Sequence, residues 1–407
     1  MWTCGQNAYC ELGHRDTDGR KFPTRVADLA EEDAIAIAAG NEHTVVLTAQ
    51  GNLLSVGYND SGQCGQGNTG RVERFSQVEE LSGRGIQQVA AFNGCEHTMV
   101  STLDGKLFTF GKNDRGQLGH GNTIDAFTPR QVQSLQNFKV TSMSCSYYHS
   151  VVNCAGGHVF SFGRNDFGQL GVGDHIDRLE PTRVDTLKGG ILVSVACGQL
   201  HSVFVTSEGF ALACGKNDFG QLGLMSEEES IRVPQRIRGA VEATTVVEVK
   251  CGYFHTLLLA TTVRSQQSPQ TQRNTTALST STSSGTSKFV WAFGQNGYGQ
   301  LGLGHNEEIF GPQRVSDLDG KGIKFLAAGC YHSVAISEDG NLYMFGRNKY
   351  GQLGTGDTNE KHSIYKIDMF EGQNIAAVAA GFYHTIVLVG KPPKQQVCLF
   401  SALSVFV

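Results

Sequence analysis

The chain has 407 residues, 40% of them hydrophobic and 17% charged, and its formal net charge at pH 7 is −5. A negative balance excludes the global basic field on which non-specific nucleic-acid binding depends. No run approaches the roughly 18 apolar residues that a membrane-spanning helix needs, and the start shows no charged and apolar leader. We therefore expect neither a membrane span nor a secretory signal.

A nine-residue box, Gly-x-Asn-x-x-Gly-Gln-Leu-Gly or a close variant, recurs along the chain. The intervals between its copies are 52, 54, 52, 52, 79 and 52 residues. A fixed period of this length indicates a repeat architecture, in which neighbouring units bury one another's faces. The seven copies begin at Gly5, Gly57, Gly111, Gly163, Gly215, Gly294 and Gly346.

A second motif, Gly-x-x-His followed by Thr or Ser, runs in phase with the box. Each histidine begins a run of β-branched residues, which is followed by a turn that commonly contains glycine. A second run of β-branched or aromatic residues then leads into the box. This order is typical of a β-hairpin. Two further runs complete about four strands per unit, so seven units predict an all-β, seven-bladed β-propeller. Ser146 replaces the glycine of the third copy. The histidines are His43, His97, His149, His201, His255, His332 and His384.

Each end of the chain carries half a hairpin. Met1–Cys4 lacks a preceding partner strand, and Thr385–Val389 lacks a following one. Because radial closure protects sheet edges, we predict that these two strands pair and close the ring. Residues 1–390 then form a single propeller and residues 391–407 a C-terminal tail, to whose apolar end we assign no role.

The longest interval contains a segment rich in serine and threonine at about 263–287. Of the 23 residues from Ser265 to Ser287, 13 are Ser or Thr and none is acidic. Such a composition cannot bury enough apolar surface to order the backbone. We predict a disordered surface loop inserted in the hairpin turn of one blade, tolerated without a specific role.

The recurring polar residues favour a structural role over chemistry. A catalytic or metal site needs one constellation, whereas these histidines recur once per unit, so we interpret them as packing or hydrogen-bonding residues. The asparagine of each box is expected to cap its own turn. We find no phosphate-binding loop, nucleophile elbow or metal-spaced cluster, and we expect no catalytic residue, cofactor or metal. The box leucines, with Cys64 in the second copy, are expected to fill the gaps between blades.

The eleven cysteines form no C-x-x-C pair. Free cysteine is usually buried, and disulfides are rare in reducing compartments. We therefore expect reduced, buried thiols in a protein of the cytoplasm, the nucleus or both.

The box and the Gly-x-x-His motif together resemble the regulator of chromosome condensation repeat family, over essentially Trp2 to Val389. The resemblance implies a seven-bladed propeller and a choice of functions. Family members exchange guanine nucleotide on the small GTPase Ran, sense ultraviolet light in plants, or serve as interaction modules in ubiquitin ligases, kinases and BTB proteins. Fold alone does not decide between these functions.

Two of the family functions fit this chain poorly. The plant photoreceptors carry tryptophan clusters, whereas this chain has two tryptophans, Trp2 and Trp291. The Ran exchange factor inserts a wedge after one box, whereas no interval between a box and its outer run is elongated here.

The most informative positions are the two before each histidine, because they differ between copies. In Ran exchange factors this turn faces the partner. One side of the ring would then be aromatic and the other acidic, which suits a protein interface, although a role in packing between blades carries similar weight. The predicted partner-binding residues are Glu42, Glu96, Tyr147, Tyr148, Leu200, Tyr253, Phe254, Tyr331, Phe382 and Tyr383.

The sequence thus predicts a protein-interaction scaffold rather than an enzyme, with a module of a signalling or ubiquitin-related protein as the setting that fits it. Its partner would be a protein, such as a small GTPase or a component of the ubiquitin pathway, and neither nucleic acid nor a membrane. The alternative is a guanine-nucleotide exchange factor that acts by stabilising the nucleotide-free GTPase.

Overall fold

The protein folds as a closed ring of seven blades, as the repeats predict. The computed structural model describes residues 1–29, 32–92, 94–262 and 287–390. These residues form seven antiparallel sheets of four strands each. Short 3-10 helices lead from each outer strand to the next blade: Ala27–Leu29, Glu79–Leu81, Gln133–Leu135, Asp185–Leu187, Ala240–Ala243, Ser316–Leu318 and Asp368–Phe370.

The strands of the described residues follow the repeat, four to a unit. The first fourteen are β1 (Trp2–Gly5), β2 (Arg20–Arg25), β3 (Ala34–Ala39), β4 (His43–Thr48), β5 (Leu53–Gly57), β6 (Val72–Gln77), β7 (Ile86–Ala90), β8 (His97–Thr102), β9 (Leu107–Gly111), β10 (Ala126–Gln131), β11 (Val140–Cys145), β12 (His149–Cys154), β13 (His158–Gly163) and β14 (Arg178–Arg183). The others are β15 (Leu192–Cys197), β16 (His201–Thr206), β17 (Ala211–Lys216), β18 (Ser230–Arg236), β19 (Thr244–Cys251), β20 (His255–Thr262), β21 (Lys288–Gly294), β22 (Ile309–Arg314), β23 (Ile323–Ala328), β24 (His332–Ser337), β25 (Leu342–Gly346), β26 (Lys361–Ile367), β27 (Ile375–Ala380) and β28 (His384–Val389).

Each blade is built in the same order. In blade 1 the sheet runs β3, β4, β5, β6, and blades 2 to 6 repeat this order with the next groups of four strands. The first strands of neighbouring blades contact one another, so they lie around the central axis while the fourth strands form the perimeter. Blade 7 consists of β27, β28, β1 and β2.

The ring closes through blade 7, where both ends of the chain meet. Strand β1 pairs antiparallel with β28, with Trp2 opposite Val387 and Gly5 opposite His384. The same two strands also pair with β2 and β27, respectively. The predicted pairing of the N- and C-terminal strands is confirmed.

Apolar side chains hold adjoining blades together. Between blades 4 and 5, Val203 and Val249 share one buried cluster with Leu222, the leucine of the fourth unit's box. Leu301 and Leu353 occupy the same place between the following pairs of blades. Each box leucine, and Cys64 in their place, is fully buried. The expectation that the box leucines fill the gaps between blades is therefore confirmed for Leu222, Leu301 and Leu353.

The Ser/Thr-rich insertion leaves the hairpin of blade 5 intact. Residues 263–286 and the tail 391–407 lie outside the described residues, so the predicted loop and tail stay predictions. The flanking strands β20 and β21 pair as far as Thr261 opposite Lys288. Beyond that pair, the Thr262 N–H donates to the carbonyl of Ser287 at 3.1 Å. In the described part of the chain, no helix is long and apolar enough to cross a membrane.

Candidate partner-binding face

Two recurring turns of each blade lie at the same end of the ring. One joins the first strand to the histidine strand, and the other begins the box after the third strand. The N–H of Tyr58, second in its box, donates to the carbonyl of Glu42 at 2.8 Å, and all seven blades repeat this bond. Gly57 permits the contact, because a Cβ there would lie 2.4 Å from that oxygen. We call this end the turn face: the two residues before each histidine and the second to fifth residues of each box.

The seven histidines form a hydrogen-bonded ring just beneath the turn face. Each Nε2 bonds to the Ser or Thr hydroxyl that follows the histidine of the next blade. The bond from His43 to Thr98 measures 3.0 Å, and the one from His384 to Thr44 closes the circle at 3.2 Å. The other five bonds measure 2.8 to 3.1 Å. The interpretation of the histidines as hydrogen-bonding residues of the fold is confirmed.

The same bonds define the protonation of the ring. The Thr98 hydroxyl donates a hydrogen bond to the carbonyl of Gln63 at 2.8 Å, so it must accept the one from His43 Nε2, which therefore carries the ring proton. Burial lowers the pKa of His97 to about 3, and the other six have pKa values lowered to about 3 or 4. The histidines are therefore neutral at physiological pH. Gly40 leaves room for this arrangement, because a Cβ there would lie 2.1 Å from the His43 ring.

The box asparagines cap their own turns, as predicted. The Asn7 amide donates to the carbonyl of Asp16 at 2.8 Å, and its oxygen accepts the N–H of Leu12 at 2.9 Å. The other copies repeat both bonds. The hydrogen-bonding groups of these side chains are occupied within the turns and are not free for a ligand.

The turn of blade 2 departs from the repeat. Ala90 pairs with Met99, whereas its counterpart Ala38 pairs with Val45. Seven residues thus lead from Ala90 to His97, where five lead from Ala38 to His43. Gly94 is therefore not equivalent to Gly40, which corrects the alignment of the motif. The two extra residues account for the interval of 54. They bring Gly94 close to the turns of blades 6 and 7, since a Cβ on it would lie 2.6 Å from Phe382.

Blades 5 to 7 carry the aromatic half of the turn face. The ring centroid of Tyr253 lies 5.4 Å from that of Tyr331 and 5.8 Å from that of Phe382, so three blades contribute to one cluster. Phe382 and Tyr383 lie 4.3 Å apart, and Phe254 lies 4.9 Å from Tyr253. All five side chains are half-buried and keep part of their surface accessible.

Sequence reasoning missed a second row of aromatic residues that extends this cluster. They come from the fifth position of three boxes, each packing on the turn of the following blade. The signal was present in the box itself, whose fifth residue varies as freely as the turn residues. The contacts are Phe219 on Phe254, Tyr298 on Tyr331 and Tyr350 on Tyr383, with centroid distances of 5.1, 5.4 and 4.7 Å.

The predicted acidic side consists of Glu42 in blade 1 and Glu96 in blade 2, and both carboxylates are hydrogen-bonded. The Glu96 carboxylate is buried and accepts Lys112 Nζ at 2.6 Å and the Tyr147 hydroxyl at 3.1 Å. Glu42 is half-buried and accepts the Gln6 amide at 2.9 Å. Burial, with a smaller contribution from the charge of Glu96, raises the pKa of Glu42. Glu42 is therefore the more accessible acid of the pair.

The ten predicted partner-binding residues all lie on the turn face. Tyr148 is half-buried, with the Arg164 guanidinium 4.9 Å from its ring, and Leu200 is buried. Their role in binding stays a prediction. Across the described ranges, no group of three His, Cys, Asp or Glu residues is arranged to hold a metal ion. The ten cysteines in those ranges are buried, and none of them forms a disulfide.

Comparison with known proteins finds one repeat family along nearly the whole ring. Residues 1–265 match the RCC1-like domain, and residues 289–336 and 339–388 match the regulator of chromosome condensation (RCC1) repeat. The chain is 29% identical over 393 residues to the E3 ubiquitin-protein ligase HERC2 of Homo sapiens, covering 96% of this chain and 8% of the ligase. It is 28% identical over 380 residues to the Ultraviolet-B receptor UVR8 of Arabidopsis thaliana, covering 92% and 79% of the two chains.

Among solved structures, the chain is similar to Prp20p from Saccharomyces cerevisiae, a protein studied for its binding to Gsp1p and histones. The TM-score is 0.78 at 19% identity, over 97% of this chain and 92% of Prp20p. At that identity the likeness shows the fold alone. The chain spans only a small part of the HERC2 ligase, so the likeness to that protein concerns one segment of it.

Proposed function

The chain belongs to the family of RCC1-like domains, and we propose that it is a protein-interaction scaffold whose partner binds the turn face. The aromatic half carries this proposal. Rigid aromatic side chains that keep accessible surface lose little entropy when a partner covers them, and they are typical anchors of protein interfaces. Binding, rather than chemistry at one side chain, would be its activity.

The contrast between recurring and varying residues within each unit supports the proposal. The histidines and asparagines that recur in every blade are buried and hydrogen-bonded, whereas most of the turn-face residues that vary keep accessible surface. Variation at an accessible surface, on a fixed frame, is how propellers acquire different partners. The likeness to the HERC2 ligase makes a ubiquitin-related assembly a reasonable setting, and buried cysteines outside disulfides suit the cytoplasm or nucleus.

A second candidate is guanine-nucleotide exchange on a small GTPase, which the family permits. One observation weighs against it. Each outermost strand begins seven residues after the last glycine of its box, as from Gly119 to Ala126. The described residues therefore contain no elongated segment that could act as a wedge after a box. Accelerated nucleotide release from a panel of purified small GTPases would support exchange.

Quantitative affinity capture from cell extract would test the scaffold proposal. The face variant combines Phe254→Ala and Tyr331→Ala. The matched control combines Leu103→Ala and Ile191→Ala, which removes apolar side chains that are each 65% exposed at the opposite end of the ring. We expect the face variant to lose partners that the control keeps. Equal loss from both variants, or from neither while both stay folded, would contradict binding at the turn face.

A further inference from the structure

The cations at the second position of the box have counter-ions in blades 2 to 4. Arg164 pairs with Asp166 and Lys216 with Asp218, both at 2.7 Å, so the acid stands two residues later in the same box. Lys112 pairs instead with Glu96 at 2.6 Å. This part of the turn face is therefore locally neutral.

Blade 6 has a positive charge at the fourth box position, where blades 3 and 4 have an aspartate. Its second box residue is Arg347, but the residue two positions later is Lys349 rather than an aspartate. Neither cation has a carboxylate partner within 4.0 Å in the described ranges, although both approach aromatic rings. The neighbouring boxes of blades 5 and 7 contribute no acid at these positions. The aromatic half thus carries two cations without a counter-ion.

The guanidinium of Arg347 is held in place rather than left mobile. It lies 4.7, 5.3 and 5.0 Å from the ring centroids of Tyr298, Tyr331 and Tyr383. Its Nη1 also donates to the Tyr383 hydroxyl at 3.1 Å. Aromatic faces stabilise a cation without neutralising it. A fixed guanidinium with unused N–H groups is well suited to bind a carboxylate through paired hydrogen bonds.

A surface cavity of about 390 Å³ opens beside this group. Its lining is Arg347, Lys349, Thr358, Asn359 and Glu360. The acid in the lining, Glu360, lies 3.7 Å from His362. The nearby Asp357 pairs with Lys361 at 2.8 Å, which helps to lower the pKa of Asp357 to about 2. Asp357 is thus engaged by Lys361, whereas the neighbour of Glu360 is an imidazole.

We infer that the cavity beside Arg347 and Lys349 binds an acidic, aspartate- or glutamate-containing segment of the protein partner. The partner's carboxylate would supply the counter-ion that Asp166 and Asp218 supply within blades 3 and 4. Apolar residues next to that carboxylate would cover the surrounding tyrosines. This inference rests on the proposed function and adds the chemistry of the partner.

The test measures binding of a fluorescein-labelled peptide of alternating glutamate and leucine by fluorescence anisotropy. Lys349→Asp restores the residue type that blades 3 and 4 carry, so we expect a folded protein whose affinity falls about tenfold or more, as does that of Arg347→Gln. The matched control is Lys216→Gln, at the same box position in a neutral part of the face, and it should bind as the native protein does. Asp166→Lys, which creates a second cation pair beside Tyr148, should raise the affinity.

Three results would overturn the inference. The first is unchanged affinity in Lys349→Asp, and the second is an equal loss in the Lys216→Gln control, which would indicate non-specific attraction. The third is binding of a phosphoserine peptide with none of the glutamate peptide, which would make the anion a phosphate. If Lys349→Asp keeps every partner that the Phe254→Ala/Tyr331→Ala variant loses, the scaffold function stands and this inference alone fails.

Discussion

Tyr331 and His332 are neighbours in the chain, yet they belong to regions of opposite character. His332 is fully buried, and its Nε2 lies 2.9 Å from the Thr385 hydroxyl of the next blade, as in six other copies. Tyr331 is half-buried and packs on the Tyr298 ring and the Arg347 guanidinium, a set of contacts that is not repeated in all seven blades. In this repeat, the residues that are the same in every blade form the structural frame of the ring. The residues that vary form the surface available to a partner.

Acid should break the histidine ring and with it the whole propeller. The folded pKa values near 3 lie below the unfolded value of 6.5, so the unfolded chain binds more protons between these limits. Stability is therefore complete above pH 6.5 and is lost as the pH falls, by up to about 1.4 kcal/mol per pH unit for each histidine. Seven such groups can exceed the 5–15 kcal/mol or so of a typical domain.

We expect cooperative unfolding between about pH 6 and pH 4, because the buried histidines become protonated in the unfolded chain. The residues of the turn face are not expected to cause such a transition. Urea unfolding at a series of pH values checks this. A free energy of unfolding that stays level from pH 7 to pH 4 would show that the ring histidines are not held neutral.

Substitution of the two neighbours separates the regions directly. His332→Ala removes the hydrogen bond that the Thr385 hydroxyl accepts and opens a cavity, so we expect a loss of about 2–4 kcal/mol. Tyr331→Ala removes a half-buried ring and should cost less, about 1 kcal/mol. Chemical denaturation of both variants gives the comparison. A larger loss from Tyr331→Ala would place the tyrosine in the frame.

The box of blade 7 allows the opposite test, because one position that is otherwise the same in every box carries a different residue there. Glu11 stands where the other six boxes have glutamine; it is fully buried, and its Oε2 accepts the Tyr9 N–H at 2.8 Å. Burial raises the pKa of Glu11 to about 7, so its effect on stability becomes unfavourable as the pH rises from about 4.5 to 7.

Glu11→Gln should therefore stabilise the protein by about 1–3 kcal/mol at pH 8 and hardly at all near pH 4.5. Thermal unfolding at pH 8 and at the lowest pH where the ring stays folded measures the difference. A gain that is the same at both pH values would assign the effect to packing rather than to the charge.

The sequence predicted most of the fold, because each conclusion depended on a pattern repeated seven times. The ring closure followed from two half-hairpins. The longer turn of blade 2 was visible only as an interval of 54, and its place near Phe382 depends on a contact between distant blades. The pairing of Glu96 with Lys112 was hidden as well, because 16 residues of one blade separate them in the chain.

The smallest effect is expected from the insertion of blade 5. Its flanking strands already pair up to Thr261 and Lys288, so a tight glycine-containing turn can join them. Replacing residues 265–286 should change the free energy of unfolding by less than about 1 kcal/mol, because loop entropy depends weakly on length. A large fall in melting temperature would show that the insertion contributes to the frame.

Partner affinity compared with stability in the same variants tests the central claim most directly. With a partner recovered by affinity capture, isothermal titration calorimetry would give its Kd for the native protein, for Phe254→Ala/Tyr331→Ala and for His255→Ala. We predict that Kd rises about 10- to 100-fold in the aromatic variant, with the fold kept, while folded His255→Ala binds as the native protein does. Unchanged Kd in the aromatic variant, or lost binding in a fully folded His255→Ala protein, would contradict the account.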